Sequence, residues 1–168
     1  RWMCTLFPED RVREVWKMYN VTTDSKGCAV FWYVDAEGRV AYDKRVFYKE
    51  DGHRDKSFGG TREYRTADGF TARPYFGAHL VNDECVNVVE SEKSALLGAL
   101  AYGGVWLATG GKGTLKYVAN AKLYPDYDAR EEWSHKGSVV EWWQGWSECG
   151  ETSDIGDLIE WKIKNGKL

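Results

Sequence analysis

Three short apolar runs in the second half of the chain each stop at a polar segment suited to chemistry. Val86-Asn87-Val88-Val89 stops at Glu90, and Val105-Trp106-Leu107-Ala108 stops at the loop Thr109-Gly110-Gly111-Lys112-Gly113. Lys122-Leu123-Tyr124 stops at Pro125-Asp126-Tyr127-Asp128. Each run is bounded by turn residues and is rich in β-branched or aromatic side chains, the pattern of strands buried in a sheet. Between the first two, Ser91 to Tyr102 carries Ala95, Leu96, Ala99 and Leu100 at helical spacing and ends at Gly103-Gly104, as a helix with a glycine C-cap would. Strand, helix and strand predict a right-handed βαβ unit, in which ligands bind beyond the carboxyl ends of the strands. Those ends carry Glu90, the glycine loop and the pair Asp126/Asp128.

The first half reads differently. Val12, Val15, Trp16 and Tyr19 share one helical face within a segment entered at Pro8-Glu9-Asp10. Ala29 to Val34 and Arg39 to Tyr42 flank the turn Asp35-Ala36-Glu37-Gly38, and Arg45-Val46-Phe47-Tyr48 follows, which predicts an antiparallel meander. Asp51 to Phe70 is polar and poor in aliphatics and reads as a long loop, and Tyr75 to Leu80 leads into the sheet. Beyond Asp128, Ala129 to His135 reads as a short helix and Ser138 to Trp143 as a strand. Ser153 to Lys164 reads as a helix with Ser153 as N-cap and Ile155, Leu158, Ile159 and Ile163 in register.

The expected fold class is therefore α/β: a parallel sheet flanked by helices, preceded by a small antiparallel β-rich subdomain. The expected boundary divides residues 1–80 from residues 81–168. At 168 residues and 43% hydrophobic content, the chain can bury one good core or two small subdomains. No apolar run is long enough to span a membrane and no leader is visible, so a cytoplasmic, membrane-free protein is expected. Arg1 is not an initiator, which points to an excised piece of a longer protein. Cys4, Cys28, Cys85 and Cys149 form no CxxC pair, so reduced thiols are expected in place of a zinc site. A net charge of -3 argues against an all-over basic nucleic-acid binder and leaves room for a local basic face.

Two aspartates one residue apart in an extended segment share a side, and clustered carboxylate oxygens suit a hard divalent ion such as Mg²⁺ or Mn²⁺. Glu90, on the neighbouring strand end, adds a third carboxylate, so the three together could hold metal over a phosphate. A lone DxD is more often an ordinary acidic turn. The glycine loop fails as a P-loop, because the first glycine of that motif would fall on Trp106 and Lys112 is followed by Gly113. It serves either as a plain turn or as a phosphate cradle built from Gly110, Gly111 and Lys112. Lys93, one turn into the helix, either neutralises a phosphate or solvates a helix face. Glu92 reads as solvated, and Trp142, Trp143 and Trp146 read mainly as packing residues that could also stack on bases.

The succession VNVVE90SEKSAL, VWLATGG and LYPD126YD128 resembles the Toprim domain of bacterial primases, topoisomerases and several nucleases. Within that group it is most similar to the catalytic core of bacterial and phage primases. AVFWYVDAEGRVAYDKRVFY resembles the primase segment of two strands around a D-x-x-G turn. YFGAHL resembles the motif preceding Toprim, and SDIGDLIEW the acidic helix that follows it in primase-helicases. The order also resembles a Toprim-like family carried by bacterial mobile elements. The likeness runs from about Ala29 to Trp161 and implies that Glu90, Asp126 and Asp128 are metal ligands and catalytic groups. It also implies that Lys44 or Arg45 contacts the phosphates of an incoming nucleotide. Ser91 replaces a usual Gly, Ser94 a common Asp, and Ala129-Arg130 the usual small-then-Gly ending.

The resemblance implies a Mg²⁺-dependent, DNA-primase-like nucleotidyltransferase acting in DNA replication, with a single-stranded DNA template, nucleotides and a helicase or other replication protein as partners. A Toprim nuclease is the enzymatic alternative. A catalytically silent module that binds DNA or a partner within a mobile element is the alternative from another class.

Overall fold

The structure, a computed structural model, describes residues 1–58, 61–65, 70, 73–82 and 84–168. The chain forms two compact units, Arg1–Leu80 and Val81–Leu168. Among the described residues, no helix is long and apolar enough to cross a membrane.

In the first unit a 3-10 turn, Trp2–Thr5, precedes helix α1, Glu9–Met18, which has Pro8 as its N-cap and Val12 and Val15 buried. Strands β1 (Val21–Thr23), β2 (Ala29–Val34), β3 (Val40–Val46) and β4 (Thr61–Arg65) form one sheet in that order, with every neighbour antiparallel. The β2–β3 turn is fixed by Asp35, whose carboxylate accepts the backbone N–H groups of Glu37 and Arg39, and by Gly38 at φ +79°. The core beneath is aromatic: Phe76 meets Tyr19, Phe31 and Tyr33 at centroid distances of 5.5, 5.5 and 5.7 Å.

Several expectations are corrected here. Ala41 to Val46 continues as one strand, so Tyr42 and Arg45 lie on the same strand, and Tyr48 lies beyond it, in an isolated bridge to Arg54. The segment read as a loop over 51–70 contains the 3-10 turn Lys56–Phe58 and strand β4; residues 59–60 and 66–69 of it lie outside the described part. β1 and β4 are polar strands that exist because β2 and β3 offer them ladder partners, which local composition does not reveal.

In the second unit, strands β5 (Val86–Val89), β6 (Trp106–Ala108), β7 (Ala121–Leu123) and β8 (Ser138–Val139) form a wholly parallel sheet in the order β6-β5-β7-β8. The expected strand over Ser138 to Trp143 is thus cut to two residues, because the backbone turns over Trp142 to Trp146. Helix α2, Glu92–Tyr102, joins β5 to β6; Ser91 caps it by accepting the N–H of Ser94 at 3.1 Å, and Gly103 ends it. Every residue from Ser94 to Leu100 on α2 is buried, as expected for a helix covered on more than one side. Helix α3 is Arg130–Ser134 and helix α4 is Ile155–Lys164, which packs on α2 through Ile155, Leu158 and Ile159. Its N-cap is Asp154, not Ser153: Asp154 accepts the N–H of Asp157 at 2.9 Å, and Asp157 accepts that of Asp154 at 3.3 Å.

Candidate metal centre at the carboxyl ends of the parallel strands

β5 lies between β6 and β7, so all three strands deliver their carboxyl ends to one edge of the sheet. Glu90 follows β5 directly and is 8% exposed. Asp126 arrives three residues after β7 in extended backbone, and Asp128 lies in the 3-10 turn Tyr127–Ala129. One carboxylate oxygen from each of the three lies within 4.8 Å of the others. The expectation that an extended DxD would align its two carboxylates gave the right grouping for an incomplete reason. Only Asp126 is extended, and the turn that starts at Tyr127 brings Asp128 back to the same side.

The chain around Asp126 is held at several points. Tyr124 donates its N–H to the carbonyl of Val88 at 2.8 Å, and Asp126 donates its own to Glu90 Oε1 at 3.4 Å. Tyr127 donates to the Ser153 carbonyl at 2.9 Å, and the Trp142 indole donates to the Pro125 carbonyl at 2.8 Å. Trp142 packs in a chain of rings with Trp143 and Trp146, so these tryptophans act here as packing and anchoring groups. Arg130 covers the Tyr127 ring at 3.9 Å, and a cleft of about 440 Å³ lined by Arg130, Glu131, Ser134, Val139, Glu141 and Trp143 opens beside it.

Burial, reinforced by the charges of Asp154, Glu90 and Asp128, pushes the Asp126 carboxyl up to about 8. Burial and Asp154 likewise push Asp157 up to about 6, while Lys93 favours its ionised form. Asp154 and Asp157 are thus electrostatic members of the acidic cluster that sequence reasoning missed. The signal available was the Asp-x-x-Asp spacing at the start of α4, which marks a capping box. Lys93, in the first turn of α2, interacts with Asp157. Glu92, expected to be solvated, is 1% exposed: a charged residue at the entry of a helix packed on several sides is carried into the interior.

The glycine loop is joined to the same edge. Gly110, at φ +82°, donates its N–H to the Glu90 carbonyl at 2.9 Å, and the Thr109 hydroxyl donates to the Gly111 carbonyl at 2.9 Å. A 3-10 turn, Lys112–Thr114, follows; the side chain of Lys112 lies outside the described part. A Cβ built on Gly111 or Gly113 would meet nothing within 4 Å, so the space in front of both is open. Lys44 and Arg45 belong to the other unit, on β3. Lys44 is 4% exposed, and Arg45 pairs with Asp43 at 2.7 Å and Asp24 at 3.7 Å.

A family model described as "Domain of unknown function (DUF6371)" matches residues 1–126. The chain belongs to that family. The match includes Glu90 and Asp126 and ends before Asp128. No curated protein matches. Among solved structures, the chain is similar to the RNA polymerase domain of Mycobacterium tuberculosis primase DnaG, with TM-score 0.51 and 15% identity over 93% of this chain and 59% of that one. It is also similar to the primase fragment of the bacteriophage T7 primase-helicase protein, with TM-score 0.52 and 17% identity over 92% of this chain and 66% of that one. The chain thus spans less than two thirds of either structure. These likenesses establish the fold: a primase-type α/β arrangement of a parallel sheet flanked by helices, preceded by a small antiparallel sheet.

Proposed function

We propose that this DUF6371 chain is a primase-like nucleotidyltransferase core of Toprim type. The observation that carries the reading is the convergence of Glu90, Asp126 and Asp128 within 4.8 Å at one edge of a sheet whose fold is that of primase domains. The donor set fits a hard divalent ion: all three ligands are carboxylate oxygens. Asp126 is crowded by like charges that a cation would offset. Glu90, Asp126 and Asp128 would hold Mg²⁺ or Mn²⁺, which when bound supplies charge neutralisation at a phosphoryl group and acidifies the attacking hydroxyl.

The chain's own groups prepare that site. Glu90 fixes the approach of the Asp126 backbone through its hydrogen bond, so two ligands are positioned by one contact. The Gly110 N–H donates to the Glu90 carbonyl and the Gly111 N–H to the Thr109 hydroxyl, so the part proposed for Gly110 and Gly111 is to hold the loop beside Glu90 with open space in front of Gly111, where a phosphate would meet Lys112 and Lys93. Lys44 or Arg45 is proposed as a nucleotide-phosphate contact on the resemblance alone. Single-stranded DNA template, nucleotides and a replicative helicase are the partners this reading implies, the T7 fragment itself being part of a primase-helicase.

Titration calorimetry with Mg²⁺ or Mn²⁺ tests the centre: wild type is expected to bind and Asp126→Ala/Asp128→Ala to lose the heat. Single-turnover assays then compare nucleotides plus template with a labelled strand alone. Strand cleavage without incorporation would replace the primase reading by a Toprim nuclease. Equal heats for wild type and variant would leave the silent binding module, the reading favoured by Ser91, Ser94 and Arg130 in place of the usual residues.

A further inference from the structure

The opposite end of the parallel sheet carries a second feature that the carboxylate centre does not use. At the amino ends of β7 and β8 lies a groove of about 640 Å³, lined among others by Lys116, Tyr117, Asn120, Lys122, Lys136 and Ser138. Its volume is that of an ordinary ligand site. The register of the sheet explains the grouping. Lys122 stands opposite Ser138, and Lys136 precedes that strand by two residues. Lys116 and Tyr117 belong to the segment that enters β7.

The chemistry of the lining is one-sided. It contains three lysines and no carboxylate among its described residues, although the chain as a whole carries a net charge of -3. Lys136 also meets Glu132 at 2.8 Å, a pair that is open to water and therefore screened. Tyr117 is 84% exposed, the highest value among the exposed large hydrophobic side chains. A solvent-exposed ring in the same groove lining as three cationic groups suits a ligand that alternates phosphates with unstacked bases. An acidic peptide would use the lysines and leave the ring idle, and a duplex would keep its base faces stacked internally.

We propose that this groove is a binding site for single-stranded nucleic acid, in which Lys116, Lys122 and Lys136 contact backbone phosphates and Tyr117 stacks on a base. The inference goes beyond the nucleotidyltransferase reading and does not require it, because the groove lies at the far end of the strands from Glu90, Asp126 and Asp128.

The test is fluorescence anisotropy with a labelled oligothymidylate of roughly twelve nucleotides, in EDTA so that the carboxylate centre is silent. Lys116→Ala/Lys122→Ala/Lys136→Ala is expected to weaken binding by about tenfold or more and to lower the salt slope by roughly 2. Tyr117→Ala is expected to weaken it by about fivefold to a hundredfold, with Tyr117→Phe close to wild type. All four side chains lie on the surface, and matching thermal melts confirm that the variants fold. The lysine and Tyr117→Ala variants should take up Mn²⁺ like wild type in titration calorimetry, which separates failure of this site from failure of the metal centre. Absence of nucleic-acid binding by wild type, or unchanged binding by the lysine or Tyr117→Ala variants, would overturn the proposal. Tighter binding of a polyglutamate peptide, insensitive to Tyr117→Ala, would overturn it in favour of an acidic protein segment.

Discussion

The Ser94 hydroxyl donates a hydrogen bond to Asp154 Oδ2 at 2.8 Å, joining the first turn of α2 to the N-cap of α4. The contact gives a physical reason for serine at a position where the resemblance leads one to expect aspartate. A hydroxyl can donate to the Asp154 carboxylate, and a second carboxylate cannot. Ser94→Ala should therefore lower stability by about 1–3 kcal/mol, the cost of leaving a partly buried acceptor short of a donor. Ser94→Asp should cost more, through like-charge repulsion. Urea denaturation of the two variants checks the order, and a Ser94→Asp protein as stable as wild type would contradict it.

Gly98 sits in the middle of α2, where helix propensity alone predicts that alanine stabilises by about 0.5–1 kcal/mol. Its position reverses the sign. A Cβ there would fall inside the van der Waals shell of the Trp106 ring, which is 1% exposed and hydrogen-bonded through its indole N–H to the Gly103 carbonyl at 2.9 Å. Gly98→Ala is expected to destabilise by about 1–3 kcal/mol, the usual range for overpacking. Thermal melting reads the sign directly.

The parts of this fold that were legible in the sequence are those in which local pattern and burial coincide. β5 and β6, buried along nearly their whole length, appear as apolar runs interrupted only by Asn87, and α2 carries its own cap at Ser91 and its own stop at Gly103. Strand β4, Thr-Arg-Glu-Tyr-Arg, has no such pattern and exists through its ladder with β3. The carboxylate triad was legible because strand ends in a parallel sheet share an edge. Asp154 and Asp157 were not, because their approach depends on α4 packing against α2, a tertiary contact with no spacing in the sequence.

Trp142 is expected to be a positioning residue for the acidic pair. Its indole N–H holds the Pro125 carbonyl one residue before Asp126. Trp142→Phe keeps an aromatic ring beside Trp143 and Trp146 but removes the donor together with part of the buried indole volume. The expected loss is about 1–3 kcal/mol of stability. Mn²⁺ affinity should weaken with it, since the backbone that presents Asp126 loses one of its anchors. A variant that melts lower but binds Mn²⁺ as wild type would reduce Trp142 to a packing role.

The pH dependence of stability should expose the crowding at Asp126. Its carboxyl is raised from an ordinary 3.8 to about 8, and that of Asp157 to about 6, so the folded state holds protons that the unfolded chain has released. The sign follows. Their contribution is fully present below about pH 4 and is lost as pH rises, through about 6 for Asp157 and about 8 for Asp126. In EDTA, the melting temperature should therefore fall more steeply from pH 5 to 8 in wild type than in Asp126→Asn, which cannot release that proton and should be the more stable of the two at pH 8. Mg²⁺ should narrow the gap, because a cation stabilises the ionised carboxylate, and its binding at neutral pH should release up to about one proton. Calorimetry in buffers of different ionisation enthalpy counts that proton. Parallel melting curves for wild type and Asp126→Asn, with no proton released on titration, would show that Asp126 is already ionised without a cation.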